Sequence, residues 1–181
     1  MPATLAVDHS ALAKRLSAEA FAAYIVSLRE GLHLSKTELI TKLQGPPFHA
    51  RIHLKDLYEY ERGERVPRQE GRMALTAALG ADPGQMDQML SYGVRRLSEL
   101  DGAALPAEEV LVREARAFAE DVARVCLRDQ AIQAELAKTA AAVPVEERDR
   151  AMQILEALAA RPEDLSKFLE YGDLLRSKIA K

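Results

Sequence analysis

Apolar residues recur along this chain at intervals of three and four, seldom at two. Phe21, Ile25, Leu28 and Leu32 are spaced four, three and four apart, which puts them on one helical face. They predict a first helix from Ser10 or Ser17 to Glu30, with Gly31 near its end. "SKTE" at 35–38 is a capping box, followed by Leu39, Ile40 and Leu43 on one side of a second helix. "GPP" at 45–47 stops that helix, because prolines remove donors and fix φ. A third helix starts between His49 and His53 and ends at Gly63, a suitable C′ glycine. A fourth follows Pro67, carries Met73, Leu75, Ala78 and Leu79, and closes at Gly80. "DPGQMDQMLSYGVRRLSEL" reads as a fifth, to about Leu100.

"DGAALP" at 101–106 has the composition of a linker. After it, Leu111, Ala115, Phe118, Val122, Val125, Asp129, Ile132 and Leu136 alternate in steps of four and three along one long helix, Ala107 to Val143. Pro144 breaks the run, another helix reaches Ala160, and Pro162 opens a last one. No repeat or strand-like alternation interrupts this pattern. The expected fold is all-α, with a five-helix domain over 1–100 and a helical domain over 107–181.

Composition agrees and narrows the chemistry. Ala, Leu, Glu and Arg, all good helix formers, are common. Cys126 is the sole cysteine, which excludes an intramolecular disulfide and leaves a cysteine-based zinc site unsupported. It reads as a small apolar filler. His49 and His53 have a spacing that can hold a metal on a helix, but no acidic or sulfur ligand completes a set, so no metal site is expected. His9 and His33 read as surface or packing residues. There is no Gly-rich phosphate loop, His-Glu zinc motif or nucleophile elbow, so neither catalysis nor a cofactor is expected. The N-terminus has no apolar signal region and no segment is long and apolar enough to span a membrane, which points to the cytoplasm. The net charge of -3 is uneven: residues 1–100 hold 13 Lys/Arg against 12 Asp/Glu, and residues 101–181 hold 12 against 16. This balance permits, without demanding, nucleic-acid binding by the first half.

Residues 25–80 contain an ordered set of signals. "LREGLHLS" leads into the capped "SKTELITKL", a further helix ends "LYEYERGERVP", and another closes at "LGADPGQM". The set resembles the Cro- and Xre-type helix-turn-helix family, the lambda-repressor-like DNA-binding domains, over about residues 18–90. The resemblance implies that Arg29 and Glu61 pair, tying the first helix to the recognition helix, and that Gly63 follows as the family's glycine. It implies that Ser35 and Lys36 open the helix that meets a phosphate, that Lys55, Asp56 and Glu59 face base edges, and that Arg68 approaches the backbone or minor groove. Physical chemistry supports these roles: amide donors at the start of the Ser35 helix suit a phosphate, Lys55 can donate to guanine, and Glu59 can accept from cytosine. The full DNA-facing set is Ser35, Lys36, Thr37, Arg51, His53, Lys55, Asp56, Tyr58, Glu59, Arg62, Arg65 and Arg68. Leu57 and Tyr60 should face inward.

One short recognition helix covers few base pairs, so such readers commonly act as pairs. The stripe through Leu111, Phe118, Val122, Val125, Ile132 and Leu136 has the period of a two-helix seam and is the expected dimer contact; packing within one chain is the other use of such a stripe. The expected function is regulation of transcription by a homodimer on double-stranded DNA. The rival is a protein-interaction adaptor or antitoxin-like module. Two features favour it: "QGPPFHAR" at 44–51 is long for the turn, and Asp56, Glu59, Glu61 and Glu64 lie where DNA would approach.

Overall fold

The computed structural model describes residues 8–100, 104–143, 145–160 and 167–173. All regular structure among them is helical: α1 His9–Gly31, α2 Lys36–Gln44, α3 Leu54–Glu61, α4 Gln69–Ala78, α5 Pro83–Glu99, α6 Glu108–Ala142 and α7 Val145–Ala159, with residues 167–173 helical as well. The expected start of the last helix at Pro162 lies outside the described residues. No described helix is long and apolar enough to cross a membrane.

The helix ends follow local chemistry. Asp8 caps α1, its carboxylate accepting from the Ser10 and Ala11 N–H groups at 3.0 and 3.2 Å. Ser35 and Glu38 form the expected capping box: the Glu38 N–H donates to Ser35 Oγ at 3.2 Å and the Ser35 N–H to Glu38 Oε2 at 2.7 Å. Asp82 caps α5 ahead of Pro83, which needs no donor in that position. Gly63, at φ 69°, takes the left-handed conformation that ends the α3 region.

The chain divides into two compact units, Met1–Leu127 and Arg128–Lys181. The division falls inside α6, not at the expected linker 101–106. The reason is packing. Leu111, Ala115, Ala119, Ala123 and Cys126 belong to the same core as α1 through α5. α1 is the centre of that core, burying Leu16, Ala20, Phe21, Tyr24, Ile25 and Leu28. It runs against α5 so closely that a Cβ on Gly93 would lie 1.9 Å from the Ala13 carbonyl oxygen. The Gly93 N–H reaches Ser17 Oγ at 3.0 Å in this buried seam. Along the seam with α6, Arg116 pairs with Glu19 at 2.8 Å, Arg96 with Glu114 at 2.9 Å, and Arg15 with Glu108. Phe118 stacks on Tyr92 with centroids 5.1 Å apart.

The stripe expected to form a dimer is largely used inside the chain. Leu111 is fully buried, Phe118 and Val122 pack on the first core, and only Val125 of the set is exposed, at 45%. The buried face of this part of α6 steps by fours through alanines instead. A strict seven-residue repeat drifts roughly 20° per heptad around a straight helix, so one stripe cannot stay on one face over this length. In the second unit, Ile132 forms a small core with Leu155 and Phe168, and Leu136 packs against it. Glu135 and Thr139 are buried there too.

Candidate nucleic-acid interface

α3 is an eight-residue helix with a divided surface. Leu57 and Tyr60 point into the core, 0% and 4% exposed, as their spacing predicts. Glu61 also lies on the inner side. Its carboxylate accepts from Arg29 Nε at 2.7 Å and Nη2 at 3.3 Å, and from Lys36 Nζ. Arg29 donates further to the Leu34 carbonyl at 2.9 Å and to Glu30 at 3.1 Å. The side chains of Arg29 and Glu61 are 9% and 5% exposed, so this is a desolvated junction of α1, α2 and α3.

That junction changes the role of Lys36. The resemblance assigned it to a phosphate, but its ammonium is bound to Glu61 and sits 4.7 Å over the Tyr58 ring. The flexible Lys36 stem lets its charge reach the buried Glu61 carboxylate and the Tyr58 ring face together. Ser35 is likewise engaged by its capping box, and Thr37 stays exposed on the first turn of α2.

The acidic flank of α3 is not free either. Asp56 accepts from the His53 N–H at 3.0 Å and from Arg65 at 2.9 Å. These contacts, the His53 N–H foremost, hold its carboxyl below the usual carboxylate range. Glu59 meets Arg65 at 3.2 Å. Arg65, expected in the DNA-facing set, is thus folded back onto α3. Arg62 pairs with Glu64 at 3.0 Å, both more than half exposed. What remains outward is a stripe with spacings of three and four: Lys55, Tyr58 and Arg62, the first 88% and the second 46% exposed. The outward positions are therefore Lys55 with Tyr58 and Arg62, while Asp56 and Glu59 lie to one side under Arg65.

α2 and α3 are joined by residues 45–53, not by a tight turn. The segment folds onto the end of α2: the Ala50 N–H donates to the Leu43 carbonyl at 2.8 Å, and the Gln44 amide to the Ile52 carbonyl at 2.9 Å. Ile52 is buried and anchors the return. His49 adopts φ 47°, where a side chain is strained. The segment forms one wall of an open groove whose other walls are α3 with its exit turn and the start of α4. Arg51, Arg65 and Arg68 line it beside His49, Asp56 and Glu70. Arg51 and Arg68 are exposed, and among the described residues neither side chain has an ion pair or hydrogen bond. Sequence reasoning missed Glu70 as a groove residue and Gln44 as the clamp of the loop. The Gln44–Ile52 separation carries no periodic signal that would reveal it.

No family model, no curated protein and no solved structure matches the chain.

Proposed function

We propose that the protein binds double-stranded DNA as a sequence-selective regulator of transcription, with α3 as the reading helix. The observation that carries this reading is the outward stripe Lys55, Tyr58 and Arg62 on a helix anchored from behind by Arg29, Glu61 and Lys36. A reading helix needs donors on its outer face and a rigid hold on its inner face. Arg51 and Arg68, exposed in the groove that Asp56 and Tyr60 of α3 also line, suit backbone phosphates. Segment 51–68 holds five Lys/Arg and four Asp/Glu, a net +1. Non-specific affinity is therefore low, and binding depends on the correct site.

The test is fluorescence anisotropy at several salt concentrations, with the protein's own upstream DNA and a scrambled duplex. Arg68→Ala is expected to weaken both duplexes alike and to lower the salt slope by about one. Lys55→Ala is expected to relax selectivity at one position, by about 1–3 kcal/mol. Equal, negligible binding to both duplexes at low salt overturns the reading. It would favour the rival adaptor module, which one observation supports: Lys36, Arg62 and Arg65 are already paired with carboxylates of the same chain.

Pairing of two copies is part of the proposal, since an eight-residue helix reaches few base pairs. The full chain is expected to run as a dimer in light scattering, and residues 1–127 as a folded monomer. A monomeric full chain would remove the paired-site mechanism, and a dimeric 1–127 would place the contact in the first unit.

A further inference from the structure

We infer that Arg65 sets the affinity for DNA without touching it, as the internal counter-ion that keeps Asp56 and Glu59 from repelling the phosphate backbone. This rests on the DNA reading above. Arg65 Nη2 lies 2.9 Å from Asp56 Oδ1 and 3.2 Å from the Tyr60 hydroxyl, and Nη1 lies 3.2 Å from Glu59 Oε2. One planar guanidinium thus spans two carboxylates that belong to the same flank of α3, which a point-charge ammonium cannot do at once. The Tyr60 ring, buried and 5.3 Å from the guanidinium carbon, forms the floor beneath it.

The remaining contacts fix this arrangement. The second Asp56 oxygen is held by the His53 N–H, so the carboxylate cannot swing away from Arg65. The other Glu59 oxygen faces Lys55 at 4.0 Å, the limit of a useful pair, and Lys55 is almost wholly in solvent. Lys55 therefore contributes little to neutralising Glu59. Three of the five N–H donors of Arg65 are committed to Asp56, Tyr60 and Glu59, so its charge is balanced on this flank before any phosphate arrives. With Arg65 in place the three groups sum to -1; without it, two uncovered carboxylates stand next to the reading stripe. On a segment with a net charge of only +1, that difference decides whether the duplex approaches.

The experiment uses the full chain as wild type, Arg65→Gln, Asp56→Asn/Glu59→Gln and the triple variant. The probes are the labelled upstream duplex and the scrambled one. Asn keeps an acceptor for the His53 N–H, so the start of α3 is preserved. Arg65→Gln is expected to weaken binding to both duplexes by about tenfold or more. In the Asp56→Asn/Glu59→Gln background the same change is expected to cost less than about threefold, since nothing is left to neutralise. An equal loss in both backgrounds would mean that Arg65 holds a phosphate, and overturns the inference. Arg65→Lys, which keeps the charge but spans one carboxylate, is expected to fall between wild type and Arg65→Gln. A second readout needs no DNA: the Asp56 carboxyl, titrated by NMR in the free protein, should move up in midpoint in Arg65→Gln. An unmoved midpoint overturns the counter-ion role whatever the DNA data show. A moved midpoint with no binding by any variant overturns the affinity claim and assigns the failure to the DNA reading.

Discussion

Replacing Glu61 by alanine is expected to destabilise the first unit by about 3–5 kcal/mol, because it strands a buried charge. Arg29 is 9% exposed on its side chain and cannot turn into water without unpacking the end of α1. In the variant it keeps the Leu34 carbonyl at 2.9 Å and the largely exposed Glu30, but loses the bidentate carboxylate that balances it. Lys36, at 29% exposure, can swing outward, so Lys36→Ala is expected to cost about 1 kcal/mol. The contrast between the two variants is the diagnostic. Urea unfolding monitored by circular dichroism measures both, with an unchanged m-value required for the comparison. A loss below about 1 kcal/mol for Glu61→Ala would show that Arg29 is solvated and that the junction is not a desolvated anchor. Because the same junction fixes α3, the proposed DNA reading also requires affinity to fall in Glu61→Ala at temperatures where the protein remains folded.

Gly93→Ala is expected to be the other severe change, with a net loss of about 2 kcal/mol or more. Alanine is the better helix former by about 1 kcal/mol, so propensity alone predicts stabilisation. Packing reverses the sign. The new methyl would lie 1.9 Å from the Ala13 oxygen and 2.7 Å from its carbonyl carbon. Both are backbone atoms, so no rotamer change makes room, and α5 must move off α1. Overpacking costs about 1–3 kcal/mol, sometimes more, and here it also breaks the approach of the Gly93 N–H to Ser17. Val94→Ala is the control: Val94 is 65% exposed, and truncating it is expected to change stability by less than about 0.5 kcal/mol. If both variants melt with wild-type stability, the helices are not in the close contact described.

Local signals in the sequence were reliable where one element settles them. The Ser35 box, the inward Leu57 and Tyr60, and the glycine after α3 needed only spacing and capping rules. The Arg29–Glu61 pair came from the family resemblance. The destination of Lys36 and Arg65 did not follow from spacing, because it depends on which carboxylate lies across a tertiary gap. The unit boundary was misplaced for a related reason. "DGAALP" has linker composition, but composition does not say whether the next helix returns to the same core. α6 does so through Ala115, Ala119 and Ala123, whose small side chains give a weak pattern and a close fit. The larger residues at 118, 122 and 125 give a stronger pattern on a neighbouring face.

The place of α6 in the first core bears on how the protein is made. Arg15 and Glu19 meet Glu108 and Arg116, partners 93 and 97 residues further along the chain. Contacts this distant in sequence close late and slow the search for the native state. During translation α1 ends at Gly31, while the last part of its cover ends at Leu127, 96 residues on. At ribosomal rates of about 5–20 residues per second, α1 waits roughly 5–20 s with part of its apolar surface uncovered. Chaperone dependence in the cell should therefore concentrate on nascent chains from which Leu127 has not yet left the ribosome.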